Sequence, residues 1–331
     1  MTTTAPGTRA SALHTTAAGL VGDGTGILAA DESIATMSRR LSDAGVSPTE
    51  EHRRAYRELL VTTADLARGI SGVILCEETL HQHVTDGRDF PTALAALGLA
   101  TGVKVDTGTV PLAGAPGETI TEGLDGLAER VADCAARAAV FAKWRAVLTI
   151  GHGTPGAWAI EANAHALARY ARVCQDVGVV PVVEPEVLTA GSHPLEVCAA
   201  VTRRVLATLR RALDEAEVDP AGMVLKPNMV TPGSGAAPVG PDAVARATVD
   251  ALTATMPDDL AGVAFLSGGQ SSVDAAANLA AIRALPTPWP VTFSFGRALV
   301  TPALAAWAGD PEAVGAAQAA LIREVGRNVA A

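Results

Sequence analysis

Lysine is nearly absent from this sequence. Only Lys104, Lys143 and Lys226 occur among its 25 basic residues, and all the others are arginines. Each of the three lysines lies beside an apolar run. A neutral amine can attack a carbonyl carbon, whereas a guanidinium keeps its proton in proteins. The use of lysine at these positions therefore indicates that an amine is needed there.

Cysteine and long apolar segments are also scarce. The four cysteines are widely spaced without a C-x-x-C pair, namely Cys76, Cys134, Cys174 and Cys198. This spacing argues against cysteine-bound zinc and favours a reducing cytoplasm. No apolar segment approaches the ~18 residues of a membrane helix. The N-terminus lacks the basic and apolar regions of a leader. We therefore expect a cytoplasmic protein that does not bind membranes.

Basic charge is in deficit, and close histidine pairs are rare. The balance of 35 acidic and 25 basic residues gives a net charge of -10, which argues against a nucleic-acid surface but permits a local basic pocket for an anionic metabolite. His81 and His83 form the only close histidine pair, and they supply just two ligands for a metal. We expect both in a loop at the surface, and we predict no metal and no cofactor.

Eight short apolar runs recur along the chain and are predicted to be strands. Alanine-rich segments with helical periodicity separate them. This alternation, about every 30 to 45 residues, predicts an α/β fold, a parallel (β/α)8 TIM barrel. An open doubly wound sheet is the alternative, but no G-x-G-x-x-G follows the first run. The eight runs are Gly26–Ser33, Gly72–Glu78, Val103–Asp106, Ala146–Ile150, Pro181–Glu186, Gly222–Pro227, Gly262–Gly269 and Val291–Arg297.

The barrel is expected to form a single domain over residues 9–331, after a loose N-terminal end at residues 1–8. A first helix is predicted from about Arg9 to Val21. A capping box at Ser47 and Glu50 predicts the start of another helix, which runs to about Leu66. Further helices are predicted at Leu124–Phe141, His165–Val177, Leu195–Ala216 and Val273–Ala284.

Polar residues collect at the carboxyl ends of the predicted strands, where the catalytic face of such a barrel lies. Strand side chains alternate between two faces, so residues two apart share a face, as Lys104 and Asp106 do. If these faces point inward, three amines, three or more carboxylates and a rim of glycine and arginine meet at the mouth. The expected group comprises Asp31, Lys104, Lys143, Glu184, Glu186, Lys226, Ser267 and Arg297.

Lys226 ends an apolar run and precedes Pro227, an unusual place for an ammonium group. One interpretation is a strand-end lysine whose amine reaches water. The other is a nucleophile, since burial and a second cation such as Lys143 would lower the pKa of its amine. The rarity of lysine in this chain favours the nucleophile, which would form an imine with a carbonyl substrate.

Glu184 and Glu186 flank Pro185 and share one face of a strand. They could simply neutralise the lysines in an ion network. Alternatively they could exchange protons, since two carboxylates this close raise the pKa of one of them. We expect a raised carboxyl pKa here.

Two glycine-containing segments follow the last two strands and each opens a helix. Backbone N–H groups at Ser267–Ser272 and a guanidinium at Arg297 suit a phosphate, and barrels frequently hold one after these strands. A second phosphate site is possible near Ser33, Thr36, Arg39, Arg40 and Lys104. A solvated basic helix face explains this second group equally well.

Eight segments, in this order and spacing, resemble class I (Schiff-base) fructose-bisphosphate aldolase from about Gly26 to the final helix. They are GILAADES, EEHRRAYRELL, KVDTGTVPLAG, FAKWR, VPVVEPE, VLKPNMVTPG, FLSGGQS and TFSFGRAL. The resemblance implies a (β/α)8 barrel, usually a homotetramer. It also implies metal-free cleavage of fructose 1,6-bisphosphate into dihydroxyacetone phosphate and glyceraldehyde 3-phosphate.

The resemblance also assigns roles. It makes Lys226 the imine-forming lysine and Glu184 the acid and base that dehydrates the carbinolamine and assists cleavage. Asp31 would orient the C4 hydroxyl of the substrate, while Lys143 and Glu186 serve proton transfer and Arg145 lines the site. The phosphate of the ketone end would be bound by Ser267, Gly268, Gly269, Ser294, Gly296 and Arg297, and the other by Ser33, Thr36, Arg40 and Lys104.

Some positions depart from the family pattern. Thr36 stands where serine is frequent, and Arg39 and Thr107 stand where lysine occurs, which bears on preference at the second phosphate site. Many members end in a tail whose terminal tyrosine helps to protonate the enamine. This sequence ends at Ala331 and its only tyrosines are Tyr56 and Tyr170, so another group or water is expected to do this.

Two other functions stay open. The chain could be a Schiff-base barrel lyase for a different phosphorylated ketose, which would tolerate a weak second phosphate site. It could also be a catalytically idle barrel that acts as a binding scaffold. The idle barrel predicts a gap among the catalytic positions, and the sequence has none. A zinc-dependent aldolase would need histidines clustered at strand ends, which the sequence lacks.

Overall fold

Eight parallel strands close into a barrel with helices around it in a computed structural model that describes residues 6–22 and 24–331. The strand order around the barrel is β1-β10-β9-β8-β7-β6-β3-β2. This closure confirms the predicted (β/α)8 barrel and excludes the open sheet. The strands are Gly26–Ala30 (β1), Ile70–Leu75 (β2), Ala100–Lys104 (β3), Gly108–Pro111 (β4), Thr119–Glu122 (β5), Ala139–Leu148 (β6), Val180–Val187 (β7), Val224–Leu225 (β8), Gly262–Phe265 (β9) and Val291–Phe295 (β10).

The first helix begins at Pro6, so it starts earlier than predicted, and residues 1–5 of the expected loose end lie outside the described residues. Among the described residues, no helix is long and apolar enough to cross a membrane. The α-helices are Pro6–Leu20 (α1), Ile34–Asp43 (α2), Glu50–Val61 (α3), Glu77–Leu80 (α4), Phe90–Ala96 (α5), Leu127–Ala136 (α6), Ala157–Val177 (α7), Leu195–Glu215 (α8), Pro241–Thr253 (α9), Ser272–Arg283 (α10), Arg297–Trp307 (α11) and Val314–Val329 (α12). Short 3-10 turns lie at Leu66–Arg68, Pro220–Gly222 and Pro311–Ala313.

The predicted bounds of the fourth barrel strand, Ala146–Ile150, are wrong, because the strand begins seven residues earlier. The strand β6 runs over Ala139–Leu148, and α6 ends at Ala136 instead of continuing to Phe141. Ala138 adopts a left-handed conformation with φ 66 at the boundary. This alanine-rich stretch has no glycine or proline to mark the turn, so local propensity favoured helix, whereas pairing with β7 over Phe141–Leu148 imposes a strand.

The predicted cap of α3 is also wrong. Thr49, rather than Ser47, precedes the helix, and its side-chain oxygen accepts the N–H of His52. A second difference is the antiparallel hairpin of β4 and β5, which the sequence pattern did not predict. It follows β3 directly and places Gly108 and Thr109 at the mouth of the barrel.

The interior of the barrel is apolar at its amino end. Ile27, Phe141 and Val224 pack there in one buried cluster with Leu13 and Ala17 of α1, which therefore covers that end. The tight packing requires a glycine on β3, because a Cβ atom on Gly102 would lie 2.2 Å from the ring of Phe141. The barrel is thus closed at one end, and a polar cavity can open only at the other.

Candidate active site

A cavity of about 680 Å³ lies at the carboxyl ends of the barrel strands. All the residues predicted for the site except Gly269 line it. Gly269 lines a neighbouring cavity of about 340 Å³, which shares Gly268 with the first. The structure thus brings side chains from all parts of the chain to one end of the barrel, as the parity of the strand residues predicted.

Lys226 lies just past the end of β8, as predicted. Its backbone N–H donates to the carbonyl oxygen of Val183 at 2.8 Å, which extends the ladder to β7 by one residue. Its side chain is buried, and Nζ lies 3.6 Å from Oε2 of Glu184. Burial lowers the pKa of Lys226, and the charge of Lys143 lowers it further. Attraction to Glu184 opposes this change but does not cancel it. The expected lowering is confirmed, so neutral amine is more accessible here than in water.

Lys143 lies within β6, and its amine is closer to carboxylate oxygens than the amine of Lys226 is. Its Nζ is 2.8 Å from Oδ2 of Asp31 and 2.9 Å from Oε2 of Glu184. Burial alone would lower the pKa of Lys143, but attraction to Asp31 and Glu184 outweighs burial and raises it. Lys143 therefore stays charged. Of the two buried lysines, Lys226 is the one that can become a nucleophile.

The raised pKa predicted for one carboxyl of the pair Glu184 and Glu186 is not found at Glu184. Burial raises it, but the charges of Lys143, Lys226 and Arg145 together lower the pKa of Glu184. For Glu184 the expectation from the sequence was wrong because it considered only the neighbouring carboxylate. The cations come from strands far away in the sequence, and their attraction outweighs the repulsion.

Glu186 lies two residues further along the same face of β7 and pairs with a different cation. Its Oε2 is 2.5 Å from Nε of Arg145. The two carboxylates thus have separate partners, with Glu184 between the lysines and Glu186 beside the guanidinium. Burial opposes ionisation of Arg145, yet Glu186 and Glu184 raise its pKa.

The pH dependence of stability should reveal the environment of Asp31. Burial alone would raise the pKa of Asp31. The charges of Lys143 and Lys226 outweigh burial and lower the pKa from the ordinary 3.8 to about 2. The folded-state pKa is below the unfolded one, so the ionised carboxylate stabilises the fold above pH 3.8 and this contribution disappears as pH falls through 2. We expect about 2 kcal/mol of pH-dependent stability, which Asp31→Asn would remove.

The measurement is urea unfolding of the wild type and Asp31→Asn between neutral pH and pH 2. The difference in unfolding free energy should shrink as pH falls. Asp258→Asn, at an exposed loop position, provides a control with a small difference at every pH. A difference for Asp31→Asn that stayed constant with pH would contradict the lowered pKa.

The first candidate anion site lies after β9 and β10. Gly268 and Gly269 have φ values of 55 and 85, which a side chain would strain, and they shape a turn before α10. A Cβ atom on Gly269 would lie 3.9 Å from a terminal nitrogen of Arg297, so the guanidinium lies beside this turn. Oγ of the buried Ser294 has no hydrogen-bond partner among the described residues. These groups can donate to one phosphate.

The same end of the barrel holds the start of α11. The helix begins at Arg297, directly after Gly296. Gly296 lies close to the backbone of β1, because a Cβ atom added to it would be 3.2 Å from the carbonyl oxygen of Ala29. Ser267 is buried beside the glycine turn. An anion at this position would therefore also meet the positive end of a helix dipole.

The second candidate anion site differs, because both of its inner cations already have carboxylate partners. Arg40 pairs with Glu32, and Lys104 Nζ lies 2.7 Å from Oδ1 of Asp106. Ser33 caps α2, with its oxygen accepting the N–H of Thr36. Arg39 is exposed at the rim and Asp43 also lines the cavity.

Sequence reasoning did not select Glu32 or Asp106 for the site. Asp106 is buried, and its Oδ2 accepts the backbone N–H of Arg145 at 3.2 Å. The alternation that placed Lys104 and Asp106 on one face was a signal for it. Glu32 carried no such signal, since it lies past the end of β1 where alternation stops.

The remaining candidates lie elsewhere. His81 and His83 are exposed, and His81 Nε2 is 4.0 Å from a carboxylate oxygen of Asp133. Tyr56 and Tyr170 are fully buried and donate to the carbonyl oxygens of Val300 and Ala142. Neither tyrosine lines the cavity, so neither is placed to protonate a substrate.

Comparisons with known proteins cover nearly the whole chain. Residues 12–331 match the family model described as fructose-bisphosphate aldolase class-I. "Fructose-bisphosphate aldolase 6, cytosolic" of Arabidopsis thaliana is 52% identical over 301 residues, which are 90% of this chain and 84% of that one. Human "Fructose-bisphosphate aldolase C" is 50% identical over 309 residues, which are 92% and 85% of the two chains.

A solved structure is similar over the full barrel. It is fructose-bisphosphate aldolase from Plasmodium falciparum, in complex with TRAP and a small molecule inhibitor, with a TM-score of 0.96 and 44% sequence identity. The match covers 99% of this chain and 95% of that chain.

Proposed function

This chain belongs to the class I fructose-bisphosphate aldolase family, and we propose that Lys226 is the nucleophile of its Schiff-base chemistry. The chain is a lyase that cleaves fructose 1,6-bisphosphate into dihydroxyacetone phosphate and glyceraldehyde 3-phosphate, a reaction of glycolysis. The observation that supports Lys226 is its buried amine, whose pKa is lowered, 3.6 Å from Glu184 in the barrel cavity.

The reaction begins with attack of the neutral Lys226 amine on the C2 carbonyl of the ketose. Proton transfer from Glu184 to the carbinolamine hydroxyl releases water and leaves a protonated imine. In the free enzyme the charged amine of Lys143 lies 2.9 Å from Oε2 of Glu184. It keeps Glu184 anionic in the free enzyme, so the proton that Glu184 donates is one received from the attacking amine. A proton from solvent completes the carbinolamine hydroxyl before water leaves.

Cleavage follows because the protonated imine accepts electrons better than a ketone does. Asp31 orients the C4 hydroxyl of the substrate. The proton of this hydroxyl passes to a carboxylate as the C3–C4 bond breaks. The bond electrons move into the imine and form an enamine, and the aldehyde leaves. Protonation of C3, with Lys143 and Glu186 serving proton transfer, and hydrolysis of the imine release the ketone and restore Lys226.

Binding of the two phosphates positions the substrate in the cavity. Ser267, Gly268, Ser294 and Arg297 bind the phosphate of the ketone end, and Gly269 acts through its backbone from the edge of the cavity. Arg40 and Lys104, with Ser33 and Thr36, bind the other phosphate. Fixing both ends of the substrate holds C2 against the amine, which converts binding free energy into rate.

Borohydride trapping tests this function. Incubation with fructose 1,6-bisphosphate and reduction should inactivate the protein and leave one adduct on Lys226, located by mass spectrometry of peptides. An adduct on Lys104 or Lys143 instead, or no adduct, would contradict the proposal. Parallel trapping with fructose 1-phosphate measures dependence on the second phosphate, and persistent activity in EDTA is expected of metal-free chemistry.

We also propose that the chain acts in the cytoplasm as a homotetramer. The name of the Arabidopsis relative includes "cytosolic", and the tetramer rests on the family resemblance. Light scattering should give four times the chain mass of 33.5 kDa, and a monomer mass would contradict this assembly.

A further inference from the structure

We infer that Arg57, which does not line the cavity, is a positioning residue for both Asp31 and Arg40. Arg57 lies in α3 and is fully buried, an expensive place for a guanidinium unless its donors are used. Its Nε donates to the carbonyl oxygen of Ala30 at 2.8 Å, and Nη2 donates to that of Glu32 at 2.9 Å. The fork thus holds the carbonyls on both sides of Asp31.

This contact occurs where the barrel ladder stops. The pairing of β1 with β2 ends at Ala30 and Leu75, one residue before Asp31. Among the described residues, neither neighbouring strand pairs with the backbone beyond that point. Two donors in one rigid plane, fixed to carbonyls two residues apart, keep this stretch extended and set the direction of the Asp31 side chain. A flexible single ammonium group cannot make both bonds in this geometry.

The same guanidinium also affects the charge near the second phosphate site. Nη2 of Arg57 lies 3.3 Å from Oε2 of Glu32, while the other oxygen of Glu32 pairs with Arg40. One carboxylate is therefore shared by two arginines, and the trio keeps one positive charge. Without Arg57, Glu32 would neutralise Arg40 completely, and the attraction of the site for a phosphate would fall.

Arg53 provides a matched control on the same helix. It lies four residues before Arg57, is buried, and forms an ion pair with Glu78 at 2.6 Å. Its other contacts are the carbonyl of Pro48 and the hydroxyl of Ser38. Within the described part of the chain, Arg53 forms no hydrogen bond or ion pair with residues 30–32. A substitution there removes a comparable buried ion pair without releasing the end of β1.

The inference rests on the proposed function, and borohydride trapping separates the two. Imine formation at Lys226 does not need the C4 hydroxyl to be oriented, whereas cleavage does. We expect Arg57→Lys to form the adduct as the wild type does, while kcat falls about 10- to 100-fold from misplacement of Asp31. Absence of the adduct in the wild type would contradict the proposed function instead.

Arg57→Met should lower kcat similarly and raise KM about tenfold, the size expected of one unit charge acting at a partly buried site. The double variant Arg57→Met/Glu32→Gln removes the carboxylate that neutralises Arg40. It should therefore recover the KM of the wild type while kcat stays low, because the carbonyls are still unheld. The double variant also removes the charge of Glu32 together with that of Arg57. It can therefore replace the single variant in this experiment if Arg57→Met does not fold.

The variants are compared at 25 °C with melting temperatures recorded for each. Arg53→Met should lose stability but keep kcat and KM within about twofold of the wild type. A purely structural role for Arg57 would give Arg57→Lys and the double variant the same kcat and KM as Arg53→Met. That result would overturn the inference.

Discussion

Replacing Lys226 with methionine should lower kcat about 10⁵-fold, the scale of loss when a covalent nucleophile is removed. The thioether fills the same buried space but cannot form an imine. Borohydride reduction with fructose 1,6-bisphosphate should then leave no adduct. Steady-state assay of the purified variant, together with peptide mass spectrometry after reduction, measures both effects.

The stability of the same variant should move in the opposite direction. A lysine whose pKa is lowered on folding destabilises the fold at pH values below that pKa, since the unfolded chain holds the proton more strongly. Lys226→Met lacks this penalty, while Glu184 keeps its 2.9 Å contact with Lys143. We expect a melting temperature at or above that of the wild type.

Lys226→Arg is the charge control for this experiment. It keeps a cation near Glu184 but supplies no nucleophile, so it should be as inactive as Lys226→Met. If either variant kept more than about 1% of wild-type kcat, far above the residual expected without a nucleophile, a different lysine would carry the chemistry. An adduct that moved to Lys143 would point to the same conclusion.

Replacing Lys143 with methionine should damage both stability and activity. Asp31 and Glu184 are buried, and the change removes their contacts at 2.8 and 2.9 Å. Breaking a buried ion pair by deleting one partner costs about 3–5 kcal/mol. We expect urea unfolding to report a loss of this size at neutral pH.

The activity of Lys143→Met should fall about 10³-fold, the range for a group that supports proton transfer. The charge of Lys143 also lowers the pKa of Lys226. Without it, Glu184 and Asp31 would hold the Lys226 proton more firmly and raise the pKa of Lys226. The acidic limb of the kcat/KM profile against pH, where Lys226 gives up its proton, should therefore move to higher pH.

A double variant separates the two consequences. Lys143→Met/Asp31→Asn removes one carboxylate along with the amine, so it should recover part of the lost unfolding free energy. Activity should stay low, because both residues contact the reacting centre. An unshifted pH profile in Lys143→Met would show that Lys143 does not control the amine of Lys226.

The sequence was informative wherever the pattern was local. Eight apolar runs at regular intervals predicted the barrel, because a strand that is buried on both faces needs a continuous apolar run. The short run before Lys226, followed by Pro227, located the end of β8. The alternation of side chains along β7 placed Glu184 and Glu186 on one face. The resemblance to class I aldolases used the same segments.

The sequence failed where two local preferences competed or no pattern existed. The stretch around Ala138 favours helix by composition, yet β6 begins at Ala139 because β3 and β7 supply partners on both sides. Glu32 and Arg57 carry no periodic signal. Their association joins the end of β1 to α3, and only packing places them together.

What the sequence by itself determined is therefore the class of fold, the strand that carries Lys226 and the set of residues at the barrel mouth. Only the tertiary structure decided which charge meets which. Lys143 and Asp31 are 112 residues apart in the sequence, yet their side chains are 2.8 Å apart. This pairing keeps Lys143 protonated and leaves Lys226 with one carboxylate at 3.6 Å. Although burial opposes them, the nearby cations lower the pKa of Glu184, whereas the sequence predicted a raised pKa for one carboxyl of the pair Glu184 and Glu186. Electrostatic interactions depend on distance and burial in space, and spacing along the chain specifies neither.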